Sequence, residues 1–187
     1  GYHTLCELLS RAFRANQHRG RAEVKKSWFL ELGSEGLIAL SGAAAGDIGQ
    51  ALLADNESGA ELAARSWAQL FPGRVYIELQ RSGAPDQDAY VARAARLASR
   101  LRLPVVATHP VQFLAPDDFK AHEARVCISQ GYILADRRRP VRFTAEQYFK
   151  SQAQMAQLFA DVPAALANSV EIGQGEKPEV AVYQGCD

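Results

Sequence analysis

Three short apolar runs, each set apart by long helix-patterned stretches, restrict this chain more than any other feature. They are Leu37-Ile38-Ala39-Leu40, Val75-Tyr76-Ile77-Glu78-Leu79 and Val105-Val106-Ala107-Thr108. Runs this short and rich in branched residues read as strands buried in a sheet. Strands separated by long helices pair in parallel through right-handed crossovers, which makes the chain α/β. Helical periodicity fills the intervals at 4–15, 47–53, 60–71, 86–103, 117–130 and 163–172. A shorter helix capped by Ser27 carries Trp28, Phe29 and Leu32. The first helix presents Leu5, Leu8, Leu9, Ala12 and Phe13 at helical spacing, and the fourth offers Leu62, Trp67, Leu70 and Phe71 to the core. Two capping-box pairs, Thr144 with Gln147 and Ser151 with Gln154, predict two consecutive short helices ending near Phe159. The polar stretch 17–26 reads as a loop, and the segment from Gly173 onward as an extended or poorly ordered tail. Three strands seldom complete an α/β domain, so either further strands escape the pattern or the sheet is cut before Gly1.

Charge and cysteine usage narrow the function. The chain of 187 residues carries 21 basic and 21 acidic side chains, so it lacks the overall positive charge of many nucleic-acid binders. With 48% hydrophobic residues it has ample apolar surface to bury, which argues against disorder. Cys6, Cys127 and Cys186 are scattered, with no CxxC and no zinc-finger spacing, as suits a reducing cytoplasm. The most apolar stretch, 37–54, is broken by Ser41, Asp47 and Gln50, so no membrane span is expected. The opening Gly-Tyr-His resembles no signal peptide, and with no initiator Met it suits a fragment or a processed chain.

Several residues invite a chemical reading, and each has a plainer one. The turn Ser41-Gly42-Ala43-Ala44-Ala45-Gly46-Asp47 follows a strand and opens a helix, the arrangement that binds phosphate through free N–H groups. It lacks Gly-Lys-Ser/Thr, and Asp47 would repel an anion, so a structural turn is favoured. His109 ends the third strand, where α/β proteins place active sites. Metal ligation, general-base chemistry and a backbone-bonded histidine all suit it, and the last is favoured. His122 and Glu123 lie mid-helix, with His122 on the face of Phe119 and Val126, the pattern of an inward, hydrogen-bonded histidine. Glu78 reads as solvent-facing or arginine-paired. The basic groups around 18–26 and Arg137-Arg138-Arg139 lack interleaved aromatics and are weak signs of nucleic acid.

Taken together, several strings resemble the PHP (polymerase and histidinol phosphatase) domain of bacterial DNA polymerase III alpha subunits. Gly1-Tyr2-His3-Thr4-Leu5 with Leu8-Leu9-Ser10-Arg11-Ala12-Phe13 is similar to its GYxNLxxLLSRAY segment. Gly36-Leu37-Ile38-Ala39-Leu40-Ser41-Gly42 with Gly46-Asp47 is similar to its GLIxLSG…GD segment. The strings 76–83, 103–108, 118–126 and 158–172 follow in the family's order. The resemblance implies a partial, distorted (β/α)7 barrel of parallel-type strands with outer helices, its first strands and their His-x-His motif lying before Gly1. Residues 1–172 would form the C-terminal portion of that domain, and 173–187 a tail or linker.

In metal-binding members a trinuclear zinc-type cluster supports phosphoesterase or proofreading chemistry. The family's Cys after Leu-Ser-Gly corresponds here to Ala43, and its Asp-x-His after the Ala-Thr strand to Pro110 and Gln112. Ala and Pro offer no side-chain donor, and a neutral amide is a poor transition-metal ligand. The resemblance therefore implies a degenerate, non-catalytic module with no cofactor of its own. That module docks the proofreading exonuclease subunit and buttresses the polymerase core, whose DNA synthesis uses magnesium bound elsewhere. An error-prone paralogue is the near alternative. A residual metal-dependent phosphoesterase or 3'-5' exonuclease built on His109, His122 and Glu123, and an unrelated α/β module with a ligand over the Gly42–Gly46 turn, are the more distant ones. Unpaired sheet edges also suggest a dimer.

Overall fold

The computed structural model describes residues 1–175, and the chain divides into two compact units at Tyr76/Ile77. In the first unit, α1 (Tyr2–Ala15) is followed by a two-residue antiparallel hairpin, β1 (Gln17–His18) and β2 (Arg21–Ala22). The expected loop at 17–26 is thus partly paired. Asn16 and Glu23 close the hairpin by exchanging hydrogen bonds: the Glu23 N–H donates to the Asn16 carbonyl and the Asn16 amide to the Glu23 carbonyl. α2 (Lys26–Leu32) then brings Trp28 against Leu8 and Ala12 of α1, the centre of this unit's small core. Ser27 lies inside that helix, not at its cap.

β3 (Ala39–Leu40) leads through one 3-10 turn (Ala43–Ala45) into α3 (Asp47–Leu53), then α4 (Glu57–Leu70). α4 starts three residues earlier than expected because the Asn56 side chain accepts from the Gly59 N–H, an N-cap that apolar periodicity does not reveal. Leu62 is exposed, since Ala60 and Ala64 form the buried row of α4 and Leu62 lies off it. Ile38 and Leu40 are also exposed, so the first strand is not the buried one expected.

β4 (Val75–Gln80) belongs to both units. Val75 and Tyr76 pair in parallel with β3, and Ile77 to Gln80 pair in parallel with β5 (Val105–Thr108). The three strands run in the order β3-β4-β5. The sheet is open, so the barrel expectation is met only as far as parallel strands alternating with helices.

In the second unit, α5 (Gln87–Leu101) crosses between β4 and β5. It buries Tyr90, Val91, Ala94, Leu97 and Ala98, and the Tyr90 hydroxyl donates to the Glu78 carbonyl at 2.7 Å. α6 (Phe119–Gln130) ends at Gly131, whose φ of +74° suits a residue without a Cβ. α7 (Gln152–Leu158) is capped by Ser151. α8 (Pro163–Gln174) packs on β5, where Asn168 donates to the Val105 carbonyl (2.7 Å) and Ser169 to that of Ala107 (2.6 Å). It runs two residues past the expected end; the tail from residue 176 on lies outside the described residues.

The capping-box pair at Thr144 and Gln147 starts no helix. Gln147 still accepts from the Thr144 N–H, but its amide donates to the Pro110 carbonyl and its own carbonyl accepts from Gln112. Phe113 and Tyr148 form a parallel bridge beside it. Tertiary partners outcompeted the local cap, so 145–146 form a single turn and the chain then lies beside the loop after β5 through Gln147 and Tyr148.

Candidate functional site

In the first unit, β3 delivers the chain to Ser41 and Gly42, and Gly42 turns it with φ +75°. Ala43 follows at φ +48°, 2% exposed, and brings only a methyl group. A Cβ on Gly49 would lie 2.1 Å from the Ala43 carbonyl oxygen, so α3 packs directly on the turn. Asp47 accepts from the Ile48 N–H at 2.9 Å, the Trp67 indole at 2.9 Å and the Lys26 ammonium at 3.1 Å. Burial works against its charge, but Trp67 and Lys26 more than offset it and hold this carboxyl below the usual range. Lys26 also stands 4.1 Å over the Trp67 ring. Asp47 thereby fastens the turn to α2 and α4, and its negative charge disfavours an anion there.

In the second unit, β4 and β5 end side by side. Gln80 lies opposite Thr108 in the ladder, and Glu78 shares its face two residues back. Thr108 donates to the Glu78 carboxylate, and the Gln80 amide reaches both Glu78 and Thr108 at 3.0 Å. Glu78 is 9% exposed, so it does not face solvent. Sequence reading missed this cluster; its available signal was the run of polar residues at alternate positions 78 and 80, beside a strand ending in Thr.

Immediately after β5, the His109 Nε2 sits 2.9 Å from the Glu146 carbonyl. Its Nδ1 is buried without a hydrogen-bond partner among the described residues. Burial first, and then the nearby Lys150, hold the imidazole below its usual pKa despite the carbonyls around it. Pro110 contributes its carbonyl to Gln147, and Gln112 is exposed while its N–H donates to the Gln147 carbonyl at 2.8 Å. Arg81, just past β4, grips Asp161 through two hydrogen bonds of 2.6 and 2.7 Å, donates to the Leu158 carbonyl and stacks over Phe159.

His122 and Glu123 sit on α6 and are buried. The His122 Nδ1 faces the Arg125 guanidinium at 3.1 Å, which makes it the accepting nitrogen. The ring is packed by Phe113 and meets Phe143 nearly edge-on at 4.8 Å. Burial and Arg125 lower its pKa. Glu123 pairs with Arg139.

A zinc-type cluster like that of metal-binding members would need donor atoms at Ala43, Pro110 and Gln112. Ala43 and Pro110 supply no donor atom, Gln112 supplies a neutral amide, and Glu123 is taken by an arginine. Among the described residues no three His, Cys, Asp or Glu side chains gather at metal-binding distances. This donor set does not fit such a cluster.

Residues 1–82 match the family model for the PHP domain. The DNA polymerase III subunit alpha of Pseudomonas aeruginosa is 46% identical over 174 residues, which is 93% of this chain and 15% of that protein. The subunits of Neisseria meningitidis serogroup B and Escherichia coli K12 are 47% and 41% identical, again over 93% of this chain and 15% of theirs. No helix among the described residues is long and apolar enough to cross a membrane. This chain is homologous to the PHP region of bacterial DNA polymerase III alpha subunits and spans about 15% of the length of the curated relatives it matches.

Proposed function

We propose that this chain is a non-catalytic docking and stabilising module within a replicative DNA polymerase of the bacterial cytoplasm. In this reading it belongs to a distorted (β/α)7 barrel whose first strands precede Gly1. It holds the proofreading exonuclease subunit beside the polymerase core. The parent polypeptide carries out DNA-templated nucleotidyl transfer with magnesium, using carboxylates outside this segment.

The single observation that carries the reading is the side-chain chemistry at the strand ends. The positions of the family's thiolate, carboxylate and imidazole hold a methyl, a pyrrolidine ring and an amide. The remaining candidates are engaged structurally: His109 with Glu146, His122 with Arg125, and Glu123 with Arg139. An unrelated ligand-binding module is set aside by the homology.

The test uses the full-length alpha subunit. It is titrated with the exonuclease subunit, and its metal content is measured after exposure to zinc and manganese. A stable complex without a stoichiometric multinuclear centre is the expected result. Absence of association would end the docking role. Bound metal near Thr108 to Gln112, with phosphatase activity abolished by His109→Ala, would instead establish the phosphoesterase reading.

A further inference from the structure

The segment 131–143 is folded back along the helix it leaves. The Tyr132 N–H donates to the Cys127 carbonyl at 2.9 Å, Arg139 returns to Glu123, and Phe143 returns to the His122 ring. Asp136 holds Arg138 through contacts of 2.9 to 3.1 Å. The inward residues are therefore fixed, and what remains faces outward. Ile128, on the last turn of α6, is 81% exposed; Ile133 and Val141 are 71% and 70% exposed, and Leu134 is 42% exposed. Arg137 and Arg142 are exposed beside them in sequence, and no side-chain partner holds either among the described residues.

Charge also marks this face. Residues 123–143 carry five arginines and two carboxylates in a protein of zero net charge. Both carboxylates are already committed to Arg138 and Arg139. The two outward guanidiniums thus leave an uncompensated positive edge on an aliphatic surface.

We propose that this face of α6 and its returning loop binds a protein partner that presents aliphatic side chains bordered by Asp or Glu. The proposal rests on the docking reading above and names the surface and the partner's chemistry. Protein interfaces combine an apolar buried centre with arginine, which is enriched there relative to the rest of the surface. Single-stranded nucleic acid needs aromatic platforms, and none of the six outward residues is aromatic. Because the loop is already pinned by Glu123, His122 and Cys127, little ordering cost falls on binding.

The full-length alpha subunit and two variants, Ile133→Asp/Val141→Asp and Arg137→Glu/Arg142→Glu, are titrated with the exonuclease subunit at two salt concentrations. All six residues are exposed, so each variant is expected to melt like the parent, and the arginine pair provides a second test if the aspartates disturb folding. Each variant is expected to lose about tenfold or more in affinity, with DNA synthesis unchanged. The arginine variant is also expected to lose most of the salt dependence. Val170→Asp, on the exposed side of α8, serves as a control and should bind within about twofold. Variants that bind like the parent would overturn this surface while leaving the docking reading intact. A parent subunit that fails to bind would remove both. Lost DNA affinity with exonuclease affinity unchanged would reassign the face to nucleic acid and overturn the proposal.

Discussion

Thr108 holds the one carboxylate at the end of the parallel pair β4/β5. Its hydroxyl and the Gln80 amide both converge on Glu78, which is nearly enclosed. Removing the hydroxyl while keeping the shape leaves an acceptor under-bonded, so Thr108→Val is expected to cost about 1–3 kcal/mol in urea unfolding. An unchanged midpoint would show that solvent reaches Glu78. The two imidazoles give a pH signature. Burial, with Lys150 at His109 and Arg125 at His122, places both folded-state pKa values below the ordinary histidine value. Between the folded and unfolded values the unfolded chain binds more protons. Stability is therefore complete above about pH 6.5 and declines as pH falls below it, before the carboxylates titrate. His122→Gln is expected to flatten this decline in melting temperature; an equally steep slope would discount His122 as a contributor.

At the scale of elements, the same local pattern had two outcomes. Ser151 and Gln154 form a reciprocal cap, with the Ser151 N–H donating to Gln154 at 2.8 Å, and α7 follows. Ser151→Ala is expected to cost about 1 kcal/mol, read by thermal melting; no loss would mean that packing alone starts α7. Thr144 and Gln147 offer an equivalent pair, but Pro110 and Gln112 claim Gln147, and the segment makes one turn at 145–146 and no helix. No local pattern distinguishes the two pairs, because the deciding partner lies on the loop after another strand. Helices with a buried alanine row were readable in existence and less so in facing, as the exposure of Leu62 shows. The approach of α3 to its preceding turn leaves no room for a side chain at Gly49. Gly49→Ala is expected to destabilise by roughly 1–3 kcal/mol, since the Ala43 carbonyl must move. A neutral effect would mean that the turn is soft.

For the molecule as a whole, β4 is the common element, paired with β3 over its first two residues and with β5 over its last four. β3 is an edge strand, and Leu5, Ile38 and Leu40 line an open, mainly apolar groove of about 890 Å³ beside it. Leu5, Leu9 and Phe13 of α1 are likewise exposed, so the helix that sequence periodicity turned fully inward covers only Leu8 and Ala12. Unpaired strand edges next to apolar surface promote association. The 187-residue chain is expected to show a concentration-dependent mass by light scattering, and Leu40→Lys to shift it toward monomer. A constant monomer mass would show that this edge does not recruit a second copy.

By itself, the sequence determined the alternation of helices with parallel strands and that Ala43 and Pro110 carry no side-chain donor atom. Both follow from side-chain identity along the chain: periodicity sets local structure, and a methyl group cannot ligate wherever the fold places it. Only the tertiary structure decided that Glu78 is enclosed, that Gln147 binds the loop after β5 and starts no helix, and that 131–143 folds back on α6. Each depends on which distant backbone group or side chain satisfies a polar atom, and that choice is made by strand register and packing.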